Sequence, residues 1–191
     1  MKSFFKSAFV AGVASQATAN NSSAFGRSSQ ATGTESTAGG YAACATAARA
    51  SAFGFNAKSI GSNASAFGRN STAYGTNSTA VGYLSYSASF GDVALGYCAC
   101  TSAYAGATNK CPMHNISIGS FTLACNGFCC DATTDYDLPS IAIGHRSCST
   151  ICGSLTVGIC TQATGLYSSS FGWRSCTTSS YGSCLLYTSD A

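Results

Sequence analysis

The chain has 191 residues, of which 46% are hydrophobic and only 8% are charged. An ordinary soluble protein has about 25% charged residues, so the surface polarity here must come from Ser, Thr and Asn. Nine basic and six acidic residues without a basic cluster argue against a nucleic-acid-binding protein. The regular spacing of the hydrophobic residues argues against a disordered chain.

Residues 1–19 have the features of a secretory signal peptide. Lys2 and Lys6 give a positively charged start, residues 7–14 form a short apolar segment, and residues 17–19 (ATA) form a small-residue cleavage site. Cleavage would remove two of the nine basic residues and leave seven against six acidic ones. The alternative is that these residues begin the first unit of the repeat described next.

From residue 20 onward the chain repeats every seven residues. The pattern is clearest from Ser51 to Tyr83, where each unit has a small or polar residue, Ala or Ser, an apolar residue and then Gly. Ala47 and Ser89 occupy two of the glycine positions. A fixed period indicates a stacked repeat architecture. The repeat glycines are Gly26, Gly33, Gly40, Gly54, Gly61, Gly68, Gly75, Gly82, Gly96, Gly119, Gly144, Gly158, Gly165 and Gly172.

A coiled coil also has a period of seven, but this composition excludes it. Coiled coils need two large apolar positions per heptad, good helix formers and charged flanks. Each unit here carries a Gly, which costs a helix about 1 kcal/mol relative to Ala. Short strands ended by Gly fit the pattern better, because Gly permits the sharp bend that each turn needs.

The sequence therefore predicts an all-β fold: a narrow parallel β-roll, or β-solenoid. Two seven-residue strand–turn units make one coil of fourteen residues, and stacked coils satisfy each other's backbone groups. A thin roll buries little apolar area, so we expect several chains to associate. The apolar residues before the glycines are predicted to form a buried seam: Phe25, Phe53, Ile60, Phe67, Tyr74, Val81, Leu95, Ile118, Ile143, Val157 and Phe171.

Two segments break the phase of the repeat, near residues 100–115 and 123–139. They run roughly from Cys100 to Asn115 and from Leu123 to Pro139. Insertions of this kind are loops between coils and leave the stack intact. The repeat domain is therefore expected to span residues 20–183.

Cysteines are concentrated in the second half of the chain, while Cys44 stands alone in the first. In a secreted protein such cysteines favour disulfides, although the sequence does not determine their connectivity. A metal site using Cys125, Cys129, Cys130, His114 or His145 is the alternative, but no pair has the CxxC spacing of a zinc site. The candidate disulfide cysteines are Cys98, Cys100, Cys111, Cys125, Cys129, Cys130, Cys148, Cys152, Cys160 and Cys176.

Other polar motifs give weaker signals. Asp131, Asp135 and Asp137 lack the spacing of a calcium loop, and a solvated loop explains them better. His114 and His145 have no serine and carboxylate in a recognisable catalytic arrangement, so we expect no enzyme, no cofactor and no metal. Asn-x-Ser/Thr sequons, which matter only where glycosylation occurs, begin at Asn20, Asn21, Asn63, Asn70, Asn77 and Asn115.

Three segments resemble a known family. Residues 140–147 (SIAIGHRS), 115–120 (NISIGS) and 78–82 (STAVG) are similar to the head repeats of YadA-like trimeric autotransporter adhesins, and the resemblance extends from about Ser22 to Gly182. It implies a left-handed, homotrimeric β-roll displayed on a stalk, extracellular or at the outer membrane, that binds host proteins or glycans. The chain is richer in Cys and in aromatic residues than these heads.

The last eight residues, Cys184 to Ala191 (CLLYTSDA), are what a transposase sequencing adapter would encode. We expect residues 184–191 not to be native, as with a fusion scar. A stalk or membrane anchor would then belong to a missing downstream region.

The leading functional prediction is a secreted or surface-displayed adhesin head that attaches to cell surfaces or extracellular matrix. One alternative is a disulfide-hardened fibre or sheath protein of a virus or microbial eukaryote, which reduction would collapse. Another is an ice-binding solenoid, for which Thr72 and Thr79 would be one step of a threonine ladder. Matching positions hold Lys58 and Ser65, so that ladder is broken.

Overall fold

The computed structural model describes residues 7–103, 114–127 and 139–186. These residues form a parallel β-solenoid of about eleven coils with strands and turns but no helix. The predicted all-β solenoid is therefore confirmed. Within the described ranges there is no helix able to cross a membrane.

The strands form two sheets, and the chain alternates between them. Sheet A contains β1 (Phe9–Ala11), β3 (Ser23–Phe25), β5 (Thr37–Gly39), β7 (Ser51–Phe53), β9 (Ser65–Phe67), β11 (Thr79–Val81), β13 (Val93–Leu95), β15 (Ile116–Ser120), β17 (Ile141–His145), β19 (Leu155–Ile159), β21 (Ser169–Trp173) and β23 (Ser183–Leu186). Sheet B contains β2 (Gln16–Ala17), β4 (Gln30–Ala31), β6 (Cys44–Ala45), β8 (Lys58–Ser59), β10 (Thr72–Ala73), β12 (Tyr86–Ser87), β14 (Cys100–Ala103), β16 (Leu123–Gly127), β18 (Cys148–Ile151), β20 (Gln162–Ala163) and β22 (Cys176–Thr177).

Neighbouring strands in each sheet are parallel and usually fourteen residues apart. Ser51 pairs with Ser65 in sheet A, and Thr72 pairs with Tyr86 in sheet B. Each seven-residue unit therefore supplies one strand, alternately to sheet A and to sheet B, as the sequence predicts. We call the turns from sheet A to sheet B edge A, and those from sheet B to sheet A edge B.

The first coil uses residues that the sequence also assigns to a signal peptide. Phe9 pairs with Ser23, and Gln16 pairs with Gln30, in the register of the later coils. This is the arrangement expected if the repeat starts before residue 20. Cleavage of a signal peptide stays a prediction.

Both interruptions of the repeat leave the roll from edge B. The register offset rises from 14 to 23 between Val93 and Ile116 and to 25 between Ile116 and Ile141, which adds 9 and 11 residues. The predicted insertion boundaries were too wide at their starts, because Cys100–Ala103 and Leu123–Gly127 are strands of sheet B. β14 pairs with β16, and β16 pairs with β18, so the stack continues past both interruptions.

The core between the sheets contains small residues. The inward position of sheet A is Ala in most strands, including Ala24, Ala52 and Ala66, and all three are completely buried. Sheet B contributes Ala31, Ala45 and similar small residues. The largest fully buried side chains are Asn115 and threonines, so each coil encloses space only for small side chains.

The predicted seam is not buried inside a single chain. The sequence pattern left open which strand face packs inside the roll and which faces a neighbouring chain. In a three-residue strand only the central side chain points inward, because side chains alternate between the two faces. That position holds Ala, so the apolar residue beside Gly points outward; Phe53 is 38% and Phe67 40% exposed. Ile60 and Tyr74 belong to the other outer face, beside sheet B. The remaining predicted seam residues are at least partly exposed.

The turns depend on a left-handed residue in almost every seven-residue unit. Asn56 (φ 53°) and Asn70 (φ 56°) have this conformation at edge A, and Asn63 and Asn77 have it at edge B. Asn tolerates positive φ better than most residues. The Asn56 amide donates to Asn70 Oδ1 at 3.1 Å, and Asn63 donates to Asn77 Oδ1 at 3.0 Å. The predicted sequons at Asn63, Asn70 and Asn77 are therefore divided between two edges.

The repeat glycines have different conformations at the two edges. Gly40 at edge A has φ 119°, and a Cβ there would lie 2.5 Å from the carbonyl oxygen of Gly54. The repeat glycines at edge B, such as Gly33, lack a positive φ. Ala47 and Ser89 replace Gly at edge B, where the backbone does not need the left-handed region.

We expect Gly40→Ala to destabilise the roll, because Ala combines a strained φ with a backbone clash. The free energy of unfolding should fall by about 2 kcal/mol, measured by urea unfolding followed by circular dichroism. Ser89→Ala is the matched control, since Ala47 already fills an equivalent edge B position. Equal stability of Gly40→Ala and the native chain would contradict the assigned backbone conformation.

We also expect Ala66→Leu to disrupt the coil, because the inward column has no space for a larger side chain. Overpacking typically costs about 1–3 kcal/mol, which should appear as a lower thermal midpoint. Ser65→Leu is the control, since the neighbouring side chain in the same strand points outward. A larger loss from Ser65→Leu than from Ala66→Leu would mean that the two faces have been exchanged.

Candidate binding surfaces

The sheet A face carries an apolar column along most of the roll, interrupted by Gly39 between Phe25 and Phe53. Its outward residues beside edge A are Phe25, Phe53, Phe67, Val81, Leu95, Ile118, Ile143, Val157 and Phe171. The rings of Phe53 and Phe67 stack with centroids 5.5 Å apart and nearly parallel planes. From β13 to β19 the second outward position is also apolar, with Val93, Ile116, Ile141 and Leu155. Large exposed apolar stripes of this kind mark interaction surfaces.

Edge A carries a ladder of arginine and aromatic side chains along several coils. The Arg27 guanidinium lies 5.8 Å from the Tyr41 ring centroid, and the Tyr41 and Phe55 rings stack at 5.1 Å. The Arg69 guanidinium lies 5.5 Å from Phe55 and 5.6 Å from Tyr83. Each guanidinium is therefore in the geometry of a cation–π contact.

The ladder continues without interruption beyond Tyr83. Tyr83 stacks on Tyr97 with ring centroids 5.1 Å apart, and Tyr97 meets the edge of Phe121 at 5.1 Å. Phe121 in turn contacts His145 at 6.1 Å. We call the eight side chains Arg27, Tyr41, Phe55, Arg69, Tyr83, Tyr97, Phe121 and His145 the edge A ladder.

Charge is distributed unevenly over the described residues. Arg27, Arg69, Arg146 and Arg174 are all at edge A. The described residues contain two carboxylates, Glu35 and Asp92, and both belong to edge B. Edge A therefore has four positive charges and, over the described ranges, no negative one. Sequence reasoning missed this surface. The sequence does contain the signal, because Arg27 and Arg69 directly follow repeat glycines of edge A, and Arg146 and Arg174 come two residues after such glycines.

Edge B contains a buried polar network where the inserted segments leave the roll. Asp92 is completely buried and accepts hydrogen bonds from the backbone N–H groups of Ser89 (2.8 Å) and Asn115 (2.9 Å). Asn115 Oδ1 accepts from the N–H and the hydroxyl of Ser140, both at 3.1 Å. Burial raises the pKa of Asp92, and these hydrogen bonds partly oppose the shift. The network holds in place the residues that directly follow both insertions. Because Asn115 is buried, it is excluded as a glycan site.

Five of the described cysteines point outward from sheet B. Cys44, Cys100, Cys148 and Cys176 share one column, and Cys125 belongs to the neighbouring one. All five are free thiols, as are Cys98, Cys160 and Cys184.

Within one chain, the parallel register keeps the cysteines of the shared column too far apart to form disulfides with one another. Leu123 separates Cys100 from Cys148, and Gln162 separates Cys148 from Cys176, in the same column. Each such pair is two strand spacings apart, about 9.6 Å, whereas a disulfide needs Cα atoms within about 7 Å. Cys152 is fully buried and is not among the free thiols. Cys111, Cys129 and Cys130 lie outside the described residues, so disulfides involving them stay a prediction.

Four of the five sheet B thiols are poorly suited to chemistry at neutral pH. Burial raises the pKa of Cys44, Cys100, Cys125 and Cys148, so the reactive thiolate is scarce. Across the described ranges no three His, Cys, Asp or Glu side chains are grouped to hold a metal.

The histidines of the alternative metal site are at opposite edges. His145 is at edge A beside Phe121, while His114 is at edge B with its ring 5.6 Å from Phe90. Cys129, Cys130 and the acidic residues Asp131, Asp135 and Asp137 lie outside the described residues.

The threonine ladder considered for ice binding does not exist. Thr72 belongs to sheet B and Thr79 to sheet A, so they do not share a face. Thr18, Thr32 and Thr46 do follow one another on the sheet B face, and all three are exposed. Ile60 and Tyr74 then take the next two positions and end the column.

The comparison with known families matches the repeat. Five overlapping segments fit the model described as YadA head domain repeat (2 copies): residues 7–29, 17–43, 31–57, 45–69 and 59–85. No curated protein matches the chain. Beyond residue 85 the same two parallel sheets continue through β12 to β23. Residues 7–85 therefore match the YadA head repeat family, as their resemblance to adhesin heads predicts.

Proposed function

We propose that this chain is the head of a secreted or surface-displayed adhesin that attaches to cell surfaces or extracellular matrix. The observation that carries the proposal is the run of YadA head repeats over residues 7–85, a structural adhesin family and not an enzyme family. The outer surfaces of the roll support this proposal, because each displays the equivalent residues of successive coils in a row along the roll axis. Repeated surfaces suit multivalent attachment.

We further propose that the head is a homotrimer in which the sheet A faces meet. The core of one chain holds Ala, Ser and Thr, while residues such as Phe53 and Phe67 are more than one-third exposed. Fully burying a Phe or Leu side chain contributes about 1.5–3 kcal/mol relative to full exposure. Three chains would therefore gain at each coil the apolar burial that one chain lacks.

The trimer also accounts for the arrangement of polar surfaces. The sheet B face carries Gln16, Gln30 and Lys58, and edge A carries most of the arginines. These groups lose hydration when buried without partners, so the sheet A face is the interface that costs least to cover.

Phe67→Ser should weaken the trimer, because it removes a ring from the middle of the apolar column. We expect a lower thermal midpoint and a shift toward monomer mass in size-exclusion chromatography with light scattering. Tyr74→Ser is the control, because Tyr74 is 56% exposed on the sheet B face. A native chain that is folded and monomeric would refute the proposed assembly.

Attachment itself is tested with beads carrying the purified chain. The beads should adhere to matrix-coated surfaces or to cell layers, while beads carrying heat-unfolded protein should not. Folded, trimeric protein that attaches to none of these surfaces would refute the adhesin proposal. Collapse of the assembly on reduction would instead favour the disulfide-hardened fibre.

A further inference from the structure

We propose that edge A binds a linear sulfated polysaccharide of the glycosaminoglycan type, with Arg27, Arg69, Arg146 and Arg174 holding its sulfate groups. The inference rests on the proposed function, since it names the ligand class of the attachment surface. Its basis is the charge of edge A, where the described residues include four guanidinium groups and no carboxylate. An anionic ligand is the complement of that surface.

The ladder prepares its arginines for anion binding. Arg69 is held between Phe55 and Tyr83 at 5.5 and 5.6 Å, and Arg27 contacts Tyr41 at 5.8 Å. Stacking restricts the guanidinium plane but leaves its N–H groups free at the rim. A planar guanidinium can then donate two parallel hydrogen bonds to one sulfate, and little side-chain freedom remains to be lost on binding.

The same stacking disfavours single-stranded nucleic acid. Proteins that bind single strands stack the bases on exposed aromatic faces. Here the faces of Tyr41 and Phe55 cover each other at 5.1 Å, as do those of Tyr83 and Tyr97. The exposed rim of the ladder therefore offers N–H and phenolic O–H donors in place of open ring faces. Donors without stacking platforms match sulfate oxygens better than bases.

The spacing of the arginines suits an extended ligand. From Arg27 the next arginine of the edge is three coils away, followed by steps of four coils and two coils along sheet A. With strands about 4.8 Å apart, the four arginines span about 43 Å. A linear chain parallel to the roll axis reaches all of them, whereas a compact anion contacts one.

Edge A stays accessible in the proposed trimer. Three copies would bring twelve arginines together if edge A faced the common axis, with no described carboxylate of this edge to pair with them. Burying unpaired charges is strongly unfavourable, so the trimer leaves edge A in water. Three such edges per head would increase the avidity for a multivalent polysaccharide.

The test measures binding of a heparin oligosaccharide to the full chain by titration calorimetry. The double variant Arg27→Gln/Arg69→Gln should bind about tenfold more weakly, a few-fold for each exposed ion pair. Arg49→Gln/Lys58→Gln removes the same net charge from edge B and sheet B, and should change the dissociation constant less than twofold. Equal losses of affinity in the two double variants would overturn the proposal, because they would show that binding depends only on the overall charge of the chain.

Two further arms test the chemistry of recognition. Arg69→Lys keeps the charge but loses the planar fork, so its affinity should fall between those of the native chain and Arg69→Gln. Desulfated heparin, hyaluronan with carboxylates alone, and a single-stranded DNA oligonucleotide should all bind more weakly than heparin. Equal affinity for any of these three would refute specific recognition of sulfate. Unchanged thermal midpoints and masses of the variants would show that folding is intact.

Bead attachment separates this inference from the proposed function. If the native chain fails to bind heparin but its beads adhere to a protein matrix stripped of sulfated glycans, the inference fails and the adhesin proposal stands. If the folded trimer neither binds heparin nor attaches to any surface, both fail. Heparin binding that is lost together with cell attachment in Arg27→Gln/Arg69→Gln supports both.

Discussion

The parallel, in-register stacking of fourteen-residue coils determines nearly every other feature of the roll. Strand backbone groups find their partners in the coil before or after them, and each strand residue faces its own equivalent at about 4.8 Å. Side chains therefore form columns. Such a column is stable only if its side chains can pack against copies of themselves or against complementary neighbours. The roll therefore contains columns of Ala, of Asn and of aromatic residues.

The short coil also reverses the usual location of hydrophobic residues. Its interior accepts Ala24 or Ser59 but nothing as large as Phe, so the large apolar side chains lie outside a single chain. The hydrophobic effect then stabilises the association of chains more than it stabilises the fold of a single chain. Stability and assembly are coupled in such a fold, because the surface that a compact domain would bury is here available only to a partner.

The sequence predicted the architecture well and the surfaces poorly. A glycine every seven residues, with Ala before the apolar residue, is enough to give short strands, coils of fourteen and parallel sheets. Which side of the strand faces inward depends on the width of the coil, which no residue encodes alone, and Phe53 was misplaced for that reason. Arg27 and Arg69 were missed because the sequence repeats every seven residues, whereas two residues share a column only when they are a multiple of fourteen residues apart. The cysteine spacings did not reveal that Cys100 and Cys148 are two coils apart.

Strand length differs between the two halves of the roll. Strands have two or three residues up to β13, while β15, β17, β19 and β21 have five. Hydrogen bonds between coils run along the roll axis, so a tensile force applied at the ends loads successive junctions in series, and the weakest junction yields first. Bonds between coils also extend past the shorter strands, as from the Gly82 N–H to the Phe67 carbonyl and from the Leu84 N–H to the Arg69 carbonyl. The shorter strands therefore do not weaken the N-terminal half, and a pulled head meets comparable junctions along both halves.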